Sequence, residues 1–477
     1  MLNRIWAKNF KAFKRLDYKC AKLNLLTGLN GAGKSSFMQL MLLLRATANK
    51  IGNCQAEIDL RESGIAKSFS DIRYCYADKD EQTSFSVDFS GHYFSGEDAI
   101  LNRASRCIHR IVTGSTSSRC EVLVWHPEAY NKFNDCQIKI QDAMKLYNPE
   151  KIDDDRGICC IVEEIEAQFE KDCKDVADAE RQTQEDYEYL WRGMRFIEAF
   201  RKRPHEIHET TGMASLNNKQ SFSAVGMSIL RRFTSSLLDK RFDPEGGDVA
   251  EFLYKNGAVS KLLEGNPMIH PGTKLHDSTW GDASTLIEQI NAWLDEISPG
   301  ARFCVDRVKL SDDEESYVVK IGFGEESDMR QFKPQNVGLG ISYVLPVLAT
   351  LLTAWPGAIV IIENPEAHIH PRGQVKLGEL IARAAAFGVQ LFVETHSDHV
   401  INGVRVAVRD GILKPEDVNI AFFERKEQLK ENPVDDSDME IFSEVRNIQV
   451  DANGSLSEYP EDFMDEWNNQ LMELMKS

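Results

Sequence analysis

Gly28-Leu29-Asn30-Gly31-Ala32-Gly33-Lys34-Ser35-Ser36 is the stretch of this 477-residue chain whose reading decides the fold. It satisfies the spacing G-x-x-x-x-G-K-[ST]. Before it, Leu23, Leu25 and Leu26 read as a short buried strand. After it, Phe37, Met38, Leu40, Met41, Leu42, Leu43 and Leu44 read as an apolar helix. A loop set between strand and helix start lets successive backbone N–H groups curl around a phosphate chain at the positive end of the helix. Side chains would block that approach, hence the glycines. Lys34 is expected to stand exposed on the loop and bridge the β- and γ-phosphates, and the Ser35 hydroxyl to ligate Mg2+, with Asn30, Gly31, Gly33 and Ser36 completing the cradle. The fold class expected is α/β, a P-loop nucleoside triphosphatase.

A chain of this length has room for two or three domains. Its 42% hydrophobic and 27% charged residues are ordinary for a globular protein. No apolar run reaches the ~18 residues that span a bilayer, and residues 1–13, with Arg4, Lys8 and Lys11, lack the apolar core of a secretory signal. Ten cysteines without a C-x-x-C pair argue for a reduced, cytoplasmic chain and against a zinc framework. A net charge of −19 argues against wrapping nucleic acid nonspecifically. Basic stretches remain at Lys8, Lys11, Lys14, Arg15, Lys19 and Lys22, and again at Arg192, Arg195, Arg201, Lys202 and Arg203. They are expected to be solvated faces, or else a track for DNA or protein. The last fifty residues are acidic.

Residues 4–10, 16–18 and 23–27 read as strands of a sheet that delivers the phosphate loop. Residues 85–94 and 120–126 read as further strands. Residues 158–200 carry helical spacing, and 204–280 read as irregular loops with helices at 227–238 and 249–256. An amphipathic helix is expected over 284–297, then a hairpin of 303–310 with 317–323.

The second half of the site lies far downstream. Ile359-Val360-Ile361-Ile362 is a buried parallel-type strand that delivers Glu363-Asn364-Pro365-Glu366 to its C-terminal end, where open α/β sheets bind ligands. A carboxylate there holds Mg2+ directly or through water. Val389-Gln390-Leu391-Phe392-Val393 repeats the pattern and ends in Glu394-Thr395-His396-Ser397. A histidine at that position reaches toward a γ-phosphate. Upstream, Asn336-Val337-Gly338-Leu339-Gly340-Ile341-Ser342 opens an apolar helix and makes a second anion-binding helix start, suited to capping a phosphate held by another copy of the chain.

In this order the phosphate loop, the glycine segment, the run Glu363-Asn364-Pro365-Glu366-Ala367-His368-Ile369-His370-Pro371 and Thr395-His396-Ser397 resemble the ABC/SMC-type ATPases of bacteria. Within them the chain resembles the branch near the OLD (overcoming lysogenization defect) ATPases. Asn9-Phe10-Lys11-Ala12-Phe13 resembles the opening strand turn of that group, which places Lys11 with the nucleotide-binding residues. Residues from about 372 to 475, with Pro460-Glu461-Asp462-Phe463, resemble a domain of unknown function carried by such ATPases. Residues 50–330 resemble nothing we can name.

The resemblance implies an ABC-ATPase head with a helical and loop-rich insertion: an N-terminal lobe over 1–95, the insertion over 96–300, a C-terminal lobe over 301–425 and an acidic extension over 426–477. It places Glu363 at the Walker-B acid, usually Asp, and His396 at the switch histidine. Asn336 and Gly338 fall on the signature Ser and its following Gly. Asn364 stands where the group has its catalytic Glu. Asn positions a water but takes no proton, so Glu366 is the nearest spare base, and hydrolysis is expected to be slow or partner-triggered. A transition-metal cluster of His368, His370, His396 and His399 with Asp398 is the lesser reading, since its ligands would compete with the nucleotide for the same cleft, and so is a triad of Ser397, Asp398 and His399, since neighbours in sequence rarely face one another. No Toprim nuclease of the kind OLD proteins carry is expected in this chain, and the acidic run at 435–438 reads as a polar loop without a preceding strand.

The function the resemblance implies is ATP-driven pairing of two or more identical chains that switches a separate effector, a nuclease or toxin, in anti-phage defence of the Septu or PARIS kind. The alternatives are a RecF/SMC-like DNA-repair ATPase and a nucleotide-gated scaffold that sequesters a toxin without turnover.

Overall fold

The strand that carries the phosphate loop, β3 (Leu23–Gly28), is buried at all six positions. The computed structural model describes residues 1–48, 55–61, 65–77, 83–95, 99–111, 119–125, 194–197, 249–257, 261–263, 266–271, 283–309, 315–323, 330–332, 338–430 and 438–476. The expected helix at 227–238 and most of the segment 158–200 lie outside these residues.

A six-stranded sheet runs in the order β17-β16-β3-β15-β14-β8. Its members besides β3 are β8 (Arg195–Ile197), β14 (Ile359–Glu363), β15 (Gln390–Glu394), β16 (Val418–Leu429) and β17 (Met439–Ile448). Only the β16/β17 pair is antiparallel. Such a sheet must be covered on both faces, and its alternate residues divide accordingly. Leu25, Val360, Ile362, Leu391, Val393, Ile420 and Phe422 join one core, whereas Leu26, Ile359, Ile361, Phe392, Ala421 and Phe423 join the other.

The first core is closed by helices α2 (Val249–Asn256), α3 (Leu286–Ile297), α4 (Leu339–Thr353), α5 (Pro371–Ala386) and α6 (Asp398–Arg409). The second is closed by α1 (Lys34–Ala48), which follows the phosphate loop, and by a separate antiparallel sheet. That sheet contains β1 (Leu2–Phe10), β2 (Phe13–Lys19), β4 (Gln55–Asp59), β5 (Ser84–Ser95), β6 (Ala99–Ile111) and β7 (Arg119–Trp125), in the order β2-β1-β5-β6-β7-β4. The first two strands therefore do not share a sheet with the phosphate loop, contrary to the sequence reading; they roof it. Alternation shows that a strand buries one face, not what lies against that face. Strand β6 pairs with β5 on one side and with β7 on the other, and β7 pairs with β4.

Helix α2 spans the residues expected. Helix α3 starts at a capping box in which Thr285 accepts from the amide of Glu288 and the Glu288 carboxylate accepts from that of Thr285. The strands β9 (Lys261–Leu263) and β10 (Ala283–Thr285) form a small ribbon, and β11 (Ala301–Lys309), β12 (Glu315–Phe323) and β13 (Arg330–Phe332) a three-stranded sheet holding the expected hairpin.

Two expectations are corrected here. Arg195, read within a helical basic segment, begins the edge strand β8 beside β14. Strand β16 pairs with β3 from Val418 to Phe423 and runs on to Leu429. The acidic run at 435–438 accordingly has a strand before it, and Asp438 leads into β17.

The layers are stapled by polar side chains and a backbone hydrogen bond. Gln390 accepts from the amide of Leu2 at 2.7 Å and donates to the carbonyls of Leu2 and Ala21 at 2.7 and 3.0 Å. At the other edge, buried Glu440 accepts from Lys14 at 2.7 Å, and the Ser443 amide donates to the carbonyl of Ala12 at 2.8 Å.

Candidate functional site

The loop after β3 is shaped by what lies behind it. At Gly28, φ is +130°, and a Cβ would stand 2.3 Å from the carbonyl oxygen of Phe423 on β16. A Cβ on Gly33 would stand 2.7 Å from the Ser443 hydroxyl on β17. The C-terminal hairpin thus presses on the phosphate loop from the rear. Gly31 has φ +79° and open space around it. Asn30, Gly31 and Ser35 are exposed and Ser36 is half-buried, so the open side of the loop is the side the sequence assigned to phosphate.

Lys34 departs from expectation. Instead of standing out as an exposed loop residue it is buried, and its Nζ donates to the carbonyls of Gly28 at 2.8 Å and Leu29 at 3.0 Å. It also lies 4.0 Å from Oε1 of Glu394. Burial lowers the Lys34 pKa, and Glu394 opposes that shift. A cation coiled into its own loop carbonyls supplies the charge that a polyphosphate would draw out.

Glu394 is the residue that sequence reasoning passed over. It ends β15 in register with Glu363 at the end of β14 and with Leu26 of β3. Its pKa is raised to about 7, chiefly by desolvation; Lys34 opposes the rise, while Glu363 and Glu366 add to it. The signal was available: Glu394, like Glu363, is a carboxylate at the C-terminal end of a buried parallel strand.

Past β14 the chain turns sharply. Asn364 takes a left-handed φ of 43°, and its amide donates to the carbonyl of Glu394 at 2.8 Å. Glu366 then reaches back, and its Oε1 accepts from the amide of His396 at 2.9 Å. Burial, and secondarily Lys34, lower the pKa of His396. The three carboxylates Glu363, Glu366 and Glu394, with Lys34 and His396, therefore share one rim of the sheet.

The other histidines are not gathered there as ligands. Nδ1 of His370 caps α5 by accepting from the Arg372 amide, and the His368 ring packs edge-on against Tyr343 at 5.2 Å. Ser397 caps α6, accepting from the amides of His399 and Val400, which leaves no triad geometry with Asp398 and His399. Among the described residues no group of three His, Cys, Asp or Glu side chains is arranged to hold a metal ion.

Lys11 sits in the turn between β1 and β2 with φ 47°. Its Nζ donates to the Gln39 side chain on α1 and to the carbonyl of Ile65, and burial lowers its pKa. Asn336 lies outside the described residues. Gly338 is the exposed N-cap of α4, with nothing near a Cβ, whereas a Cβ on Gly340 would stand 2.3 Å from the His368 carbonyl. Gly340 thus has a reason within the chain: it lets α4 touch the loop that follows Glu366.

The rim fits a phosphate chain and its cation on two observations of this molecule. The Gly31 corner is open, and Glu363 and Glu366 push the Glu394 carboxyl toward protonation, which a cation would relieve.

No curated protein matches the chain. Among solved structures it is similar to the Smc head bound to the C-winged helix domain of ScpA, with TM-score 0.44 and 10% identity over 93% of this chain and 97% of that one. It is also similar to the Smc head domain with a coiled coil and joint derived from Pyrococcus yayanosii, with TM-score 0.42 and 9% identity over 100% and 99%. The SMC head domain from Thermotoga maritima matches with TM-score 0.34 and 9% identity over 88% and 94%. These scores are too low to add to what the sheet order and phosphate loop already establish, an α/β P-loop fold. Residues 413–474 match a protein family of unknown function, DUF3696, beginning well after the residue-372 start expected for that domain. Residues 1–401, most of the chain, match the AAA ATPase domain family, and the chain belongs to it.

Proposed function

We propose that this protein hydrolyses ATP slowly and uses the nucleotide to control pairing with a second copy. The observation that carries the reading is the shared rim: Lys34, buried between Gly28 and Glu394, faces the same strand ends as Glu363, Glu366 and His396. On ATP binding, Lys34 would exchange two carbonyl partners for phosphate oxygens, and Ser35 with Glu363 would hold Mg2+. The ion, when bound, neutralises charge on the β- and γ-phosphates.

Glu366 is anchored through Oε1 to the His396 amide, which fixes the carboxylate as acceptor for the proton of an attacking water. Asn364 orients that water but takes no proton from it. His396, joined to Glu366 through its own backbone, reports the γ-phosphate to the α6 side of the sheet. Asn336 and Gly338 at the head of α4 cap a phosphate bound by the partner copy. The pairing switches an effector, which we place as a nuclease in anti-phage defence. The test is ATP turnover by the purified chain, with Lys34→Ala and Glu366→Gln as controls. A wild-type chain that releases no phosphate under any condition, alone or with its effector, overturns the reading.

A further inference from the structure

The C-terminal helix α7 (Glu466–Leu474) has an exposure that a helix of its length does not sustain alone. Every residue from 466 to 476 whose burial is described is exposed. Trp467 is 72%, Leu471 45%, Leu474 75% and Met475 73% exposed. Their spacing of i, i+4, i+7 and i+8 puts all four on one face. Isolated helices below ~12–15 residues are marginal in water even with good helix formers, and this one has nine residues.

Its base is firm. Phe463 is buried edge-on against Phe422 of β16 at 5.5 Å, and the turn before the helix is pinned by the Phe463 amide on the Pro460 carbonyl and the Asp462 amide on Asp465. The helix is thus held out from the body, apolar face included.

Charge selects what covers that face. Glu461, Asp462, Asp465, Glu466 and Glu473 surround it, against Lys476 alone. Helices that lie on membranes carry Lys or Arg on the polar side, so an anionic lipid surface would repel this one, as would nucleic acid. A second copy laid face to face would oppose two acidic frames, in a chain already at −19. We propose that α7 is a docking helix for a different protein, one that offers an apolar groove rimmed by lysine and arginine. Trp467 and Leu471 are its anchors, in the helix-in-groove mode. This holds whether or not the chain hydrolyses ATP.

The test uses the full chain with Trp467 replaced by benzoylphenylalanine, irradiated in lysate of the source cells, and the adduct sequenced. The expected adduct lies on another protein, at an apolar surface bordered by Lys or Arg. That protein, purified, should bind the unmodified chain. Leu471→Ser should weaken binding by roughly tenfold or more. The pair Glu466→Lys and Glu473→Lys should weaken it several-fold at low salt and less at high salt. All variants should keep the wild-type melting temperature and ATP turnover, which separates this inference from the proposed activity. A crosslink to the chain itself or to a second copy, Trp467-dependent binding to phosphatidylcholine–phosphatidylglycerol vesicles, no adduct, or unchanged affinity of Leu471→Ser would each overturn it.

Discussion

Glu366 and His396 lie thirty residues apart in sequence and are joined by one hydrogen bond, backbone N–H to Oε1 at 2.9 Å. The bond latches the turn after β14 to the turn after β15, so the position of the carboxylate and that of the histidine backbone are set together. Glu366→Gln keeps an acceptor for the amide and removes only the ability to take a proton. Turnover should fall by roughly 10²–10⁴-fold while nucleotide affinity stays, whereas Glu363→Gln should chiefly raise the Mg2+ concentration needed. Single-turnover phosphate release with parallel nucleotide titrations separates the two. A wild-type rate in Glu366→Gln would move the base elsewhere on the rim.

Lys34→Ala should abolish nucleotide binding, and it should also cost some stability. The lysine is buried and ties Gly28 to Leu29, so its removal loosens the loop and leaves the Glu394 carboxylate without its nearest cation. Calorimetric titration with ATP should show no heat of binding, and the melting midpoint should drop by a few degrees, as loss of ~1–3 kcal/mol implies. Unchanged ATP affinity would refute the phosphate role.

Without nucleotide and in the presence of a chelator, stability should depend on pH through Glu394. Burial raises this carboxyl from 4.5 to about 7 in the folded chain. Between those values the folded state binds a proton that the unfolded state releases, so its contribution to stability falls as pH rises from 4.5 through 7. Glu394→Gln should flatten that slope and melt higher than wild type at pH 8, with little gain at pH 4.5. Parallel melting curves for the two chains across this range would contradict the assignment.

The two glycines at the head of α4 should behave differently. Gly340→Ala pushes a methyl toward the His368 carbonyl and should destabilise the chain by ~1–3 kcal/mol. Gly338→Asp meets no neighbour and should fold as wild type. If Gly338 caps a partner's phosphate, the new carboxylate should abolish ATP-dependent pairing in sedimentation while each chain still binds ATP. Pairing and turnover at wild-type levels in Gly338→Asp would end the shared-site proposal.

What could be read from the sequence was what short spacing dictates. The phosphate loop announces itself because strand, glycines, Lys34 and helix are contiguous. Glu363 does so because a four-residue apolar run ends on it, and the β11/β12 hairpin because its strands are neighbours. What escaped depended on distant partners. Nothing local says that β16 pairs with β3. Lys34 looked exposed because the carboxylate that faces it lies 360 residues downstream. Glycine signals were ambiguous: the same residue type serves an open corner at Gly31 and a tight backbone contact at Gly340.

The placement of β3 between β15 and β16 fixes when this protein can finish folding during its synthesis. Leu23 pairs with Leu391 on one side and Val418 on the other, so the strand that carries the phosphate loop is the first of its sheet to be made and waits longest for a partner. At roughly 5–20 residues per second, a nascent chain waits on the order of tens of seconds with both edges of that strand uncovered. Such long-range pairing is slow and exposes the chain to aggregation. The Gln390 amide, which grips Leu2, emerges with the strand β3 needs on its inner side, so closure of the N-terminal layer and assembly of the nucleotide sheet begin at the same moment of translation. Ribosome-bound chains halted before residue 390 should fail to retain ATP, and those extended beyond β16 should hold it.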